Sequence, residues 1–260
     1  MSSLQFVIKV ITEYWPYLLR GVGYTMLLSV SGTVVGFLIG LLVGIVRTIP
    51  MPDRKNALWW LLKVVNAIIG AYVEVFRCTP MIVQAMVIYY GIAMVTGIEV
   101  DRLLAGFIII SINTGAYMAE IVRGGILAID QGQFEAAHAI GMTHWQTMVH
   151  IIIPQAVRNI LPATGNEFVI NIKDSSVLMV ITVTELFYYG KIIIALNYRA
   201  FETYLVIAGI YFILTYSITR ILRFIERKLD GPKHYDILHS GTSAEAVVEA
   251  VALEAKNAKR

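Results

Sequence analysis

The sequence predicts an all-α protein that crosses a membrane about five times. Of its 260 residues 57% are hydrophobic and only 15% are charged, with a mean hydropathy of +0.69. Soluble domains contain about 25% charged residues. The apolar residues also form long blocks, such as residues 26–46, which carry no charge. A block of about 20 apolar residues is the length that a helix needs to cross the hydrocarbon layer.

The chain begins with a segment that is less apolar than the blocks after it. In residues 1–22, Lys9, Glu13 and Arg20 interrupt the apolar positions, so we expect an amphipathic lead-in rather than a cleaved signal peptide. The first span follows at residues 23–46. Small residues at every fourth position let a second helix approach closely in a membrane. Four glycines of this span show that spacing and predict a packing face: Gly32, Gly36, Gly40 and Gly44.

The next part of the chain admits two interpretations. Residues 57–76 are apolar but contain Lys63 and Glu74, so they form either a span or an amphipathic helix at the membrane interface. The uncharged residues 79–97 are a second candidate span. Further blocks qualify later in the chain: residues 103–122, 160–186 and 201–222.

The positions of Lys and Arg select between these alternatives, because cytoplasmic loops carry an excess of both. Three segments together hold fifteen of the 21 basic residues and are placed inside: residues 47–77, 123–158 and 220–260. This arrangement requires one crossing between residues 77 and 101. Residues 57–76 are then expected largely on the cytoplasmic side, and residues 79–97 are expected to cross. The result is five spans, with the N-terminus outside and the C-terminus inside.

The polar residues 130–154 are predicted to form a cytoplasmic loop of two short helices. Residues 133–140 and 143–152 have helical character, and Gly141 can end the first helix with a positive φ. Such a pair makes a rigid knob that can sit in a groove of a partner. The alternative is a helix–turn–helix without a partner. Six residues stand at defined spacing in this loop: Glu135, Ala136, Ala137, Gly141, Ile151 and Pro154.

That spacing resembles the loop of ABC importer membrane subunits, which read Glu-Ala-Ala, three residues, Gly, nine residues, Ile, one residue and Leu-Pro. Ile153 stands where Leu is usual. Four other runs are similar to the polar amino-acid uptake subfamily, of the histidine, glutamine, glutamate and arginine type: residues 72–80, 113–126, 165–168 and 173–176. Cys78 replaces a usual Gly in the first run. The resemblance covers roughly residues 21–230.

The resemblance implies a type I ABC importer permease fold for residues 23–228 and a cytoplasmic tail at residues 229–260. It implies a subunit of the cytoplasmic (inner) membrane that translocates polar amino acids and contacts lipid but no nucleic acid. Two ATPase subunits would dock on the 130–154 loop and would bind ATP and Mg²⁺, so this chain needs no cofactor. The other implied partners are an identical or homologous second permease and an external solute-binding protein.

A polar strip interrupts the apolar block at residues 160–186. A charge at the bilayer centre costs about 2.5–3.5 kcal/mol, so these side chains are expected to face protein or water. Glu167, Asn171 and Asp174 share one helical face, and Asn166 and Lys173 lie on the adjoining one.

The strip is either a self-neutralising structural cluster or a transient substrate site. In the second interpretation Glu167 meets an ammonium group, while amides and hydroxyls near Ser175 and Ser176 meet a carboxylate. Thr79, before Pro80, is expected at a kink or helix start and is included as a candidate for the same pathway.

Several chemistries have no signature in the sequence. There is no phosphate-binding Gly-rich loop ending in Lys-Ser or Lys-Thr, so the chain is not expected to hydrolyse ATP. The single cysteine excludes an internal disulfide. The loop histidines His138, His144 and His150 are six residues apart and share no helical face, so no metal site is expected. Two other functions stay open, namely an exporter or channel-like permease without a binding protein and a scaffold subunit without transport.

Overall fold

The computed structural model describes residues 2–229, and the regular elements within that range are all helical. Residues 2–226 belong to one compact unit, and α10 continues three residues beyond it. The predicted tail after residue 229 lies outside the described residues. The α-helices of the described part are α1 (Ser3–Glu13), α2 (Trp15–Val46), α3 (Ala57–Cys78), α4 (Met81–Thr96), α5 (Arg102–Leu127), α6 (Gln131–Ala139), α7 (His144–Thr147), α8 (Ile153–Asp174), α9 (Leu186–Asn197) and α10 (Ala200–Leu229).

The first span is longer than the apolar block predicts. Tyr14 is the C-cap of helix α1. Pro16 follows in the first turn of α2, where a backbone N–H has no helical acceptor and its absence costs nothing. As a result α2 is continuous over 32 residues, about 48 Å of helix. Residues 15–22, assigned from sequence to the lead-in, form its first two turns.

Helices α2 and α5 pack along the predicted glycine face, here called the glycine seam. A Cβ at Gly32 would lie 2.3 Å from a side-chain atom of Ile110, and one at Gly40 would lie 2.2 Å from Met118. From the first pair to the second, the position in α2 and the position in α5 both advance by eight residues. The two helices therefore run in the same direction. Gly36 and Gly44 meet Thr114 and Val122 in the same register. The prediction of a packing face is confirmed.

The parallel seam fixes the two ends of the bundle. Helix α8 runs back along α5, because Ile160 contacts Gly125 while Thr164 contacts Met118. The α6–α7 segment therefore lies at the end where α2 and α5 terminate, here called the loop end; the opposite end is called the far end. Helix α10 runs toward the loop end, since Tyr204 lies near Ser176 whereas Leu222 packs on Gly165, in the middle of α8. The segments that follow α2 and α5 are thus together, as the charge distribution predicted; the compartment that each end faces stays a prediction.

By length and composition the described residues contain 4 candidate spans, or 5 when the bent segment from His144 to Asn197 is included. The prediction of about five spans is confirmed. Their identity differs from the prediction, because α3 qualifies with 22 residues whereas α4 has only 16.

The return crossing between α2 and α5 is shared by α3 and α4. The Tyr72 hydroxyl of α3 donates to the Ile112 carbonyl at 2.6 Å, in the middle of α5. The expectation that residues 57–76 stay largely at the cytoplasmic side is therefore wrong for the second half of α3. Sequence reasoning missed it because Lys63 and Glu74 suggested an interfacial helix, whereas both are exposed and leave the packed face of α3 apolar.

Candidate functional site

Helix α6 ends in the turn that the glycine predicts. Gly141 has φ +83°, a conformation that glycine adopts without strain. Its N–H donates to the His138 carbonyl at 2.9 Å, and the Met142 N–H donates to the Ala137 carbonyl at 3.0 Å. This pair of bonds is the Schellman motif, which satisfies the last carbonyls of the helix. The geometry of the turn thus depends on residue 141.

Helix α7 starts directly after that turn and runs into α8. The Thr143 hydroxyl accepts the Gln146 N–H, and the Gln146 side chain accepts the Thr143 N–H at 2.8 Å, which forms a capping box. A π-helical turn, Met148–Ile152, then connects α7 with α8. Pro154 follows at the start of α8, and its missing N–H leaves the His150 carbonyl without the usual helical donor. Ile151 lies in the π turn and is half-buried.

The loop from residue 130 to 154 has a fixed rear and an open front. At the rear, Met148 and Ile152 belong to a buried cluster with Val122 of α5 and Ala156 of α8. At the front, Ile140 is 77% exposed and Trp145 is 74% exposed. Glu135 and Ala136 are also exposed, whereas Ala137 faces inward and is buried. The result is an apolar knob anchored on two long helices.

A charged cluster lies near the end of α5. Glu120 accepts from Arg47 at the end of α2 and from Arg123, whose Nη2 lies 2.9 Å from Oε2. This cluster ties α2 to α5 at the loop end. A cavity of about 440 Å³ lies at the loop end, lined among others by Pro50, Phe134 and Glu135. Among the described residues no group of three or more His, Cys, Asp or Glu side chains is placed to hold a metal ion.

The predicted polar strip separates into three parts, of which the first is structural. Asn171 is 3% exposed and bridges three helices. Its Nδ2 donates to the Thr33 Oγ1 of α2 at 2.8 Å, and its Oδ1 accepts from the Thr114 Oγ1 of α5 at 3.1 Å. Such side-chain bonds hold helices together where no water competes.

The second part consists of two carboxylates on one face of α8. Glu167 and Asp174 are half-buried. Within residues 2–229 neither carboxylate has a hydrogen bond or an ion pair within 4 Å, although Asp174 and Arg77 act on Glu167 electrostatically. Arg77 lies over the Tyr117 ring, 5.7 Å from its centroid. This face is the part of the strip that keeps unused binding capacity.

The third part of the strip either lines a crevice toward α10 or forms hydrogen bonds to the backbone of the preceding turn. Lys173 and Ser176 line a crevice of about 390 Å³ toward α10, together with Tyr211. The Ser175 and Ser176 hydroxyls donate back to the Ile172 and Lys173 carbonyls at 2.9 and 2.7 Å.

Two further strip candidates lie apart from the crevice. Asn166 is exposed. Thr79 stands at the break between α3 and α4, where its Oγ1 donates to the Val75 carbonyl and accepts from Gln84 Nε2. The structure therefore does not bring all eight candidates to one place.

Two buried polar residues were missed by sequence reasoning. Gln84 joins the α3–α4 break to α5, since its Oε1 accepts from Asn113 Nδ2 at 2.8 Å. Glu185 is fully buried and accepts the Phe187 and Tyr188 N–H groups at the start of α9, as well as the Tyr211 hydroxyl at 2.7 Å. A carboxylate at the end of an apolar block was the available signal for Glu185, whereas nothing local distinguished Gln84.

Comparison with known proteins shows which family has this architecture. The family model described as "Binding-protein-dependent transport system inner membrane component" matches residues 56–231. The chain belongs to this family. It is thus an integral part of a transport system of the inner membrane, in which an ATPase and a solute-binding protein are separate subunits. Permease subunits of this kind carry no ATPase site of their own.

Individual relatives agree over most of the chain. The glutamine transport system permease protein GlnP of Escherichia coli K12 is 39% identical over 227 residues, which are 87% of this chain and 99% of the relative. The arginine transport system permease protein ArtQ of Bacillus subtilis is 34% identical, covering 82% and 93%. A crystal structure of an amino acid ABC transporter with histidines has a TM-score of 0.77 at 37% identity, covering 88% and 99%. The inward-facing MetNI methionine transporter, at 22% identity and a TM-score of 0.64, shares the fold.

Proposed function

We propose that this chain is the permease subunit of an ATP-driven importer of polar amino acids, and that ATPase subunits dock on the 130–154 loop. The loop end then faces the cytoplasm, as the distribution of basic residues predicts. The relatives named for glutamine and arginine transport support the substrate class. A second permease subunit and an external binding protein complete the assembly.

One observation carries the docking proposal: the loop presents exposed apolar side chains on a rigidly held support. Ile140 and Trp145 flank the glycine turn and are exposed to the same degree. The buried cluster behind them continues into α5 and α8. A displacement of the knob by a bound ATPase is therefore transmitted to helices that cross the membrane.

The test is a substitution at Gly141 that alters the backbone of the turn without creating a steric clash. A Cβ at Gly141 would have no atom within 4 Å, so a substitution there acts only through the positive φ. Gly141→Val is expected to weaken association with the ATPase subunits about tenfold, because an L-residue in this conformation costs about 1–2 kcal/mol. Association is measured with the purified partner ATPase in nanodiscs.

The matched control is Gly141→Asn, because Asn tolerates a positive φ. It is expected to bind the ATPase nearly as the parent does. Both variants should insert and purify equally well. Parent-like ATPase binding by Gly141→Val would contradict docking through this turn.

We further propose that Glu167 contacts the amino-acid substrate on its way through the permease. Its carboxylate is half-buried and has no hydrogen bond or ion pair within 4 Å in the described residues. Asp174 lies seven residues further along the same face of α8. It is also half-buried and also has no hydrogen bond or ion pair in the described residues. A substrate ammonium or cationic side chain would supply the missing partner.

Glu167→Gln is expected to lower the uptake of labelled amino acid into proteoliposomes at least tenfold, since a charge-assisted contact is worth about 1.5–3 kcal/mol. ATPase association should be unchanged. Glu74→Gln, which removes an exposed carboxylate from α3, is the control and should retain uptake. An unchanged uptake rate in Glu167→Gln would remove this residue from the pathway.

A further inference from the structure

The first turns of α3 carry an unusual concentration of cations and indole rings. Trp59 and Trp60 form an edge-to-face pair with centroids 4.9 Å apart. The Lys63 ammonium lies 4.9 Å from the Trp59 centroid and 5.3 Å from that of Trp60. The Lys55 ammonium, from the turn before, lies 5.8 Å from Trp59. With Arg54 these residues are here called the Trp-Lys cluster.

The cations of this cluster form no ion pair among the described residues. Within residues 2–229, Arg54, Lys55 and Lys63 have no carboxylate within 4 Å. All three are exposed. An ammonium stacked on an indole face keeps its remaining N–H donors free for an anion.

The surroundings of the cluster are apolar and also uncovered. Trp60 is 55% exposed, and Leu58, Leu61 and Val64 beside it are exposed to a similar extent. Trp60 and Val64 point away from the packed side of α3, where Leu62 is buried. A surface that is apolar and cationic at once matches the boundary between acyl chains and headgroups.

The position along the helix agrees with that boundary. Thirteen residues separate Trp59 from Tyr72, which contacts the middle of α5, and they span about 20 Å of helix. Half of the hydrocarbon layer is about 15 Å thick. The Trp-Lys cluster therefore lies near the headgroup level at the loop end.

We propose that the Trp-Lys cluster is a binding site for anionic phospholipid headgroups, which anchors the start of α3 in the membrane interface. The phosphate of the lipid accepts from Lys55 and Lys63, and the indole rings lie at the level of the glycerol backbone. Residues of the 130–154 loop take no part, so the inference is independent of the proposed transport function.

The test uses the full chain, without its ATPase subunits, in nanodiscs of phosphatidylcholine, with and without phosphatidylglycerol. Replacing the other tryptophans (Trp15→Phe and Trp145→Phe, both exposed) leaves only Trp59 and Trp60 as fluorescent reporters. Brominated phosphatidylglycerol is expected to quench them more than brominated phosphatidylcholine does at equal mole fraction. The local enrichment should be about fivefold for each cation and should fall with added salt.

The decisive variant is Lys55→Gln/Lys63→Gln, in which the preference for the anionic lipid should fall about 25-fold, the share of these two cations, while quenching by either lipid remains. The matched control, Arg158→Gln/Arg223→Gln, removes two exposed cations elsewhere and should keep the preference. Equal quenching by both lipids in the parent would overturn the proposal. Absence of quenching by either lipid would show that a protein partner covers the cluster, and would overturn it as well.

Discussion

The glycine seam and the 130–154 loop both depend on glycine, but for opposite reasons. In the seam Gly40 has helical geometry and no space, since an added Cβ would lie 2.2 Å from Met118. In the loop Gly141 has ample space and a backbone that only a few residue types adopt. The seam is a closed contact inside the bundle, whereas the loop is an open surface that ends in Ile140 and Trp145.

This difference separates stability from assembly. In the membrane no hydrophobic drive brings α2 and α5 together, so close van der Waals contact along the seam has to supply the attraction. The loop contributes little to that contact and exposes apolar area instead, which in a subunit is typical of a surface that a partner covers. We therefore expect seam substitutions to unfold the subunit and loop substitutions to leave it folded but unassembled.

The largest effect is expected from Gly40→Ala in the seam. One methyl group forces α2 away from Met118, and such overpacking costs about 1–3 kcal/mol. The unfolding transition of the purified subunit in detergent measures the loss. Gly23→Ala, in the same helix, has open space around its Cβ and should be neutral or slightly stabilising. Equal destabilisation by both substitutions would show that the seam does not hold the bundle together.

The next largest effect is expected from the hydrogen bonds that join α8 to the two helices of the seam. Asn171→Ala removes the bonds to Thr33 and Thr114 and is expected to cost about 1–2 kcal/mol, since side-chain bonds between membrane helices average about 0.6 kcal/mol each. Asn166→Ala, exposed on the same helix, should change the unfolding transition little. A double-mutant cycle with Thr114→Val isolates the bond, and a coupling energy of zero would contradict the structural role given to Asn171.

How much of this the sequence could predict depends on the range of the interaction. The seam and the Gly141 turn were predictable because each follows from a repeat or a residue type within a few positions. The bond between Gln84 and Asn113, and that between Asn171 and Thr33, join residues far apart in the chain. Periodicity contains no information on such pairs. For the same reason the strip from Asn166 to Ser176 was predicted as one site, although Asn171 and Lys173 face different neighbours.

The span assignment failed for a related reason. Hydropathy and charge predicted that one crossing separates α2 from α5, and the parallel seam agrees with that prediction. They could not show that α3 and α4 share that crossing, because Lys63 and Glu74 suggested an interfacial helix and the bond that places Tyr72 at the middle of α5 joins residues 40 positions apart.

The smallest effect on stability is expected where the open surface is most exposed. Trp145→Ala should leave the unfolding transition unchanged, because a side chain that is 74% exposed has few contacts to lose. Association with the ATPase subunits should nevertheless fall about thirtyfold or more, since truncation of a central aromatic anchor costs at least about 2 kcal/mol. Trp15→Ala, the same truncation at the far end, serves as the control and should leave association intact. If Trp145→Ala instead lowered the unfolding transition as much as Gly40→Ala, the loop would belong to the packed bundle, and the division between a closed seam and an open docking surface would have to be abandoned.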